Sequence, residues 1–230
     1  IACVGDSITA GVHSSGGDHP YPQQLQILLG DAYAVTNLGA CGSTMMKTKS
    51  GYWIRPQFKT LTENKWDMVI IMLGTNDSKD AGSGGYHYWP HNCTGAGATT
   101  CPYSRDYADM IEVVRTLGNS AAGPDVYVAI PPPLHEKDAY GMNQTVINHV
   151  LPTLIPIIAT NNSITNTPIN VFDAMGGTML SKIPPGGCTL NTSTVADCRY
   201  FCDAQSCDQC HPNDVGYAFM ATVMQAAIGK

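Results

Sequence analysis

The chain has 230 residues, enough for one α/β domain with a buried core and short for two. Hydrophobic residues make up 43% of it and charged residues only 13%, so much of its polarity comes from Asn, Thr, Ser and Gln. A formal net charge of −6 with no basic cluster argues against nucleic acid or an anionic membrane surface as partner.

Short, apolar, β-rich runs recur along the chain. They are "IACVG" (1–5), "YAVTNLG" (33–39), "DMVIIMLG" (67–74), "DVYVAI" (125–130) and "INVFDA" (169–174). Helical pattern or length predicts helices over 21–30, 55–65, 104–118, 143–161 and 212–229. Near-continuous apolar strands alternating with helices imply a parallel sheet covered on both faces. The expected fold is α/β, a three-layer α/β/α sandwich with a five-stranded parallel sheet of flavodoxin-like type, in one domain over 1–230. Loop insertions interrupt it near 78–103, which is Gly-rich and aromatic, at 131–141, and near 181–210, which is rich in cysteine.

No segment reaches the roughly 18 consecutive apolar residues of a membrane span. The chain opens on "IACVGDS", already strand-like, and reads as a mature or trimmed product whose leader is gone. Nine cysteines are many for this length. Cys93 and Cys101 bracket one loop, while Cys188, Cys198, Cys202, Cys207 and Cys210 crowd a late segment, and all seven are disulfide candidates. An odd count leaves a thiol over, for which Cys3 and Cys41 are the candidates because their surroundings look apolar. Sequons at Asn92, Asn143, Asn161 and Asn191 mark glycosylation candidates. With the clustered cysteines they point to a secreted or extracellular glycoprotein, expected to be a monomer.

Ligands bind such sheets at the carboxyl ends of the strands. There the first strand runs into "GDSIT" with Ser7, the second into "NLGACGST" with Gly39, and the third into "LGTND" with Asn76. Asp208 and His211 stand just before the last helix, three residues apart, so one turn puts both side chains on one face. A serine hydroxyl needs a base to take its proton and a carboxylate to hold that base. The oxyanion that forms needs donors, and the N–H groups of Ser7 and Gly39 with the Asn76 amide would supply them.

These four blocks resemble, in order and spacing, the SGNH (GDSL-type) hydrolase family, named for the Ser, Gly, Asn and His they carry. The resemblance spans almost the whole chain. It implies Ser7 as nucleophile, His211 as general base, Asp208 as its partner, Ser7, Gly39 and Asn76 as the oxyanion hole, and no cofactor. Framework stretches such as "VTNLGACGSTMM", "YWIRPQF" and "WDMVIIMLGTNDSKD" look like carbohydrate O-acetylesterases of this type, sialate O-acetylesterase-like proteins included. The implied substrate is a small ester or acetylated carbohydrate, with Trp53, Tyr86, Trp89 and His135 as candidate contacts.

Other readings compete. A lipid or thioester hydrolase would use the same triad. "CDQCH" also matches the C-x-x-C-H attachment signal of a c-type haem, through Cys207, Cys210 and His211. Cys198, Cys202, Cys207 and Cys210 match, less well, a Cys₄ zinc site.

Overall fold

The structure is a computed structural model that describes residues 1–80, 87–183, 185–192 and 197–229. Five strands form one wholly parallel sheet: β1 (Ala2–Gly5), β2 (Thr36–Gly39), β3 (Met68–Met72), β4 (Asp125–Ile130) and β5 (Ile169–Asn170), in the order β2-β1-β3-β4-β5. Every residue of β1 and β3 is buried, as in a sheet covered on both sides. The helices are α1 (Ser7–Ala10), α2 (Tyr21–Leu29), α3 (Pro56–Glu63), α4 (Pro102–Arg115), α5 (Leu151–Asn161), α6 (Val171–Ala174) and α7 (Asp214–Ile228).

Right-handed crossovers put α2 on one face and α3, α4 and α5 on the other, because the chain steps from β1 outward to β2 and then back across the sheet. α7 returns to pack on α2, while α4 packs on α5. The three-layer α/β/α expectation therefore holds.

Two elements differ from expectation. Only the first two residues of "INVFDA" are strand; Asn170 then caps a helix, its Oδ1 accepting from Asp173 N at 3.0 Å. The helix expected from 143 begins as a π turn over Val146–Val150 and becomes α-helical at Leu151.

The insertions are stapled. Cys93–Cys101 closes the first, and Cys188–Cys198 and Cys202–Cys207 close the third. Cys210 is not bridged: it is a buried thiol whose Sγ lies 3.9 Å from Met142 Sδ. Five late cysteines make two bridges and leave one over, which is Cys210. Cys3 is unpaired and buried as expected, but Cys41 is exposed, because "GACG" runs off the end of β2 rather than through the core.

Candidate active site

β1 and β3 are neighbours in the sheet, yet β2 separates them in the chain. Their carboxyl ends are therefore the point where the winding reverses, and a crevice opens there. Ser7 leaves β1 at this point as the first residue of α1, and Asn76 leaves β3 beside it in a single 3₁₀ turn. Asp6 caps α1, its Oδ1 accepting from Ile8 N at 2.9 Å.

His211 arrives from the far end of the chain. Asn213 caps α7 through Gly216 N, and its amide donates to Arg199 O and Cys202 O, so one side chain ties the helix start to the disulfide-pinned segment. Ser7 Oγ lies 3.0 Å from His211 Nε2, and His211 Nδ1 lies 3.1 Å from Asp208 Oδ2. Since a carboxylate only accepts, Nδ1 carries the proton and Nε2 accepts from the serine hydroxyl. Asp208 Oδ1 takes the N–H groups of Cys210 and His211, both at 2.8 Å, and Tyr140 donates its hydroxyl to Oδ2 at 2.6 Å. Burial works to raise the Asp208 pKa. The bonds from His211 and Tyr140 outweigh it and hold the carboxyl well below the usual range.

The expected oxyanion donors stand differently from one another. Ser7 N–H, in the first turn of α1, has no acceptor among the described residues. Asn76 Nδ2, Thr75 Oγ1 and Asp6 Oδ2 are buried near one another, and none of them makes a well-formed hydrogen bond. Burial raises the Asp6 carboxyl to about 6, against the Ile8 N–H bond, the pull of His211 and the nearby Thr75 and Asn76 side chains.

Gly39 differs: its N–H already donates to Asn37 Oδ1 at 2.9 Å. It must be glycine because a Cβ would come within 2.1 Å of Ala10 N. That makes it a packing position and removes it from the donor set. Gly42, three residues on, has an N–H with no acceptor among the described residues, a φ of +73° and open space where a Cβ would stand. Its loop is held against the Asn76 turn by Asp77, whose carboxylate accepts from Met45 N at 2.7 Å and Met46 N at 2.8 Å. Sequence reasoning missed Gly42, Asp77 and Tyr140. The second glycine of "GACG" and the Asp of "GTND" were their only signals, and Tyr140 had none.

The candidate substrate contacts fare unevenly. Trp89 is buried against Tyr103, with ring centroids 5.5 Å apart, so it extends the core instead of offering a sugar platform. Trp53 is half-buried, donates to Met45 O and has the Lys47 ammonium over its ring. Tyr86 lies outside the described residues. His135 packs edge-on against Phe201 with both ring nitrogens buried and unpartnered, which removes it as a substrate contact.

Burial lowers the His135 pKa to about 4, against about 6.5 for a free imidazole. A depressed histidine leaves stability intact above about 6.5 and withdraws it as pH falls towards 4, because the unfolded chain takes up the proton first. Thermal melts should therefore show wild type losing on the order of 2–3 kcal/mol relative to His135→Phe between pH 7 and 4.5. Parallel curves would contradict a buried neutral ring.

His135 with Cys188 and Cys198 is the one group of metal-type side chains among the described residues, and both sulfurs are locked in a disulfide. The same reason removes the haem and Cys₄ zinc readings. Cys207 is bonded to Cys202, Cys198 to Cys188, and His211 is engaged by Ser7 and Asp208.

A family model for GDSL-like lipases and acylhydrolases matches residues 3–219. The chain belongs to this family. An acetylxylan esterase of Xylanibacter ruminicola is 31% identical over 173 residues, 68% of this chain and 32% of that protein, so the match spans about a third of the curated relative. Among solved structures, an acetyl xylan esterase superposes with a TM-score of 0.64 at 24% identity, covering 99% of this chain and 100% of its own. A carbohydrate acetylesterase from Sinorhizobium meliloti does so with a TM-score of 0.65 at 17% identity, covering 99% and 96%. At these identities the two structures establish that this family member shares their fold.

Proposed function

We propose that the chain is a serine esterase that removes acetyl groups from a carbohydrate by way of an acyl-enzyme. The observation that carries this reading is the relay from Ser7 Oγ to His211 Nε2 at 3.0 Å and from His211 Nδ1 to Asp208 at 3.1 Å. Unpartnered donors stand at the same sheet end.

The Ser7 hydroxyl attacks the ester carbonyl while Nε2 takes its proton. The carbonyl electron pair moves onto oxygen, where Ser7 N–H, Gly42 N–H and Asn76 Nδ2 receive it. Collapse expels the sugar oxygen, which takes the proton back from Nε2. Water, deprotonated by Nε2, then attacks the acyl group and frees acetate and Ser7. Asp208 stays ionised throughout and stabilises the imidazolium. No step calls for a cofactor.

Support for an acetylated sugar comes from the acetylxylan esterase relative. That protein matches this chain at 31% identity and is named for deacetylation of xylan. The p-nitrophenyl esters of acetate and octanoate separate this from a lipid or thioester hydrolase. The acetyl ester should be favoured roughly tenfold or more in kcat/KM, and acetate should be released from acetylated xylan or another acetylated glycan. Preference for octanoate would transfer the assignment to lipids or thioesters.

Secretion is part of the proposal. Three disulfides among the described residues fit an oxidising compartment. Asn92, Asn161 and Asn191 are exposed and accessible to a glycan, whereas Asn143 is half-buried and its Oδ1 accepts from Thr145 N. Among the described residues, no helix is long and apolar enough to cross a membrane.

A further inference from the structure

We propose that Tyr140 is a positioning residue of the triad, acting through Asp208 to set the orientation and basicity of His211; this rests on the triad reading above.

The Tyr140 hydroxyl donates at 2.6 Å to Asp208 Oδ2, the same oxygen that accepts from His211 Nδ1. Its ring stands edge-on to the imidazole, centroids 5.2 Å apart at 78°. With Cys210 N and His211 N on Oδ1, all four acceptor directions of the carboxylate are filled, and its plane is set from both sides.

The backbone supports a purpose for this contact. Asp138 and Tyr140 both take left-handed conformations, φ 58° and 55°, which non-glycine residues avoid. Tyr140 is 55% exposed, so the strained turn gives it little burial. What the turn gives is the hydroxyl–carboxylate bond, and such strain persists only where the surroundings over-determine it. Here they do. Asp80 N donates to Gly141 O and Asn143 N to Ser78 O, while Lys79 bridges Met142. Met142 Sδ in turn lies against Cys210. The Tyr140 loop thus joins the turn carrying Asn76 to the segment carrying Asp208 and His211.

As Ser7 attacks, His211 becomes an imidazolium whose charge Asp208 must hold. A phenol on Oδ2 draws off part of the carboxylate's charge and keeps it from swinging into solvent. Removing that hydroxyl leaves Asp208 a stronger acceptor, which favours the charged imidazole, and a less fixed one, which misaims Nε2. Other groups also face this histidine or its carboxylate: Asp6 after β1 and His13, with Nδ1 3.2 Å from His211 O and itself near Asp203, on the histidine, and Cys210 and Tyr217 of α7 on Asp208, with Lys79 near Cys210. Burial raises the Asp6 carboxyl, so the comparison is made between variants that all keep it.

The test measures kcat, KM and the acid limb of kcat/KM for acetate release by wild type, Tyr140→Phe, Asp208→Asn and the double variant. Tyr140→Phe should lower kcat roughly tenfold and leave KM within about twofold. It should also move the acid limb up by about half a pH unit, with the thermal midpoint lowered by no more than a few degrees. In the Asp208→Asn background it should add nothing beyond about twofold. Wild-type kcat and pH limb in Tyr140→Phe would overturn the proposal, as would a loss that repeats in full without the Asp208 carboxylate. Wild-type rates in Asp208→Asn would sink the triad reading itself, and Tyr140's role with it.

Discussion

Ser7→Ala is expected to lower kcat/KM for p-nitrophenyl acetate by about 10⁵-fold or more, leaving only what the oxyanion donors and binding supply. The fold should survive. Asp6, not Ser7, caps α1, and Ser7 Oγ bonds only to His211 among the described residues, so the thermal midpoint should stay within a few degrees. His211→Ala should cost nearly as much, and the double variant little more, because the two side chains act as one unit. Mass spectrometry adds a second readout: an organophosphate should label the wild type once and Ser7→Ala not at all. Hydrolysis at the wild-type rate in Ser7→Ala would refute the nucleophile assignment outright.

Asn76→Ala should lower kcat by about 10²–10³-fold with a small change in KM, since its amide is needed only once charge reaches the carbonyl oxygen. The expected effect on stability has the opposite character. Asn76 Nδ2 is buried near the Asp6 carboxyl without making a well-formed hydrogen bond, so deleting it takes little from the fold. Denaturant unfolding should show a change within about 1 kcal/mol, or a gain. A large loss of stability with intact kcat would make Asn76 structural. The two glycines of the β2 loop extend the test. Gly39→Ala should unfold or badly destabilise the chain, because the new Cβ meets backbone of α1. Gly42→Ala has room for its methyl, carries the cost of a positive φ, and should damage kcat more than the fold.

Much of this was legible in the sequence because it lies in local pattern. Runs such as "DMVIIMLG" are apolar on both faces and so announce a doubly covered parallel strand. The residues following those runs are at the sheet's binding end by topology alone. Ser7 and Asn76 could be singled out this way before any coordinates, while Asp208 and His211, three positions apart before the last helix, were recognised through the resemblance to the SGNH family. Cys93 and Cys101 could be paired because the loop between them is short.

What could not be read depends on neighbours far away in the chain. Whether Gly39 or Gly42 has a free N–H depends on an Asn37 side chain folding back and on α1 crossing β2, neither of which is written in "GACG". Trp89 was expected at the rim and is in the core because Tyr103 packs on it. Cys210 was expected in a bridge and instead is a buried free thiol against Met142, with Cys202 and Cys207 bridged to each other. Tyr140 gave no signal, since its role exists only where a strained turn brings it to Asp208, 68 residues away. The sequence by itself determined the sheet, its binding end and the chemical groups that gather there, since hydrophobic periodicity and strand order act locally. Only the tertiary structure decided which donors are free, which aromatics are covered and which side chain steadies the carboxylate, because hydrogen-bond satisfaction belongs to contacts that the chain makes after it has folded.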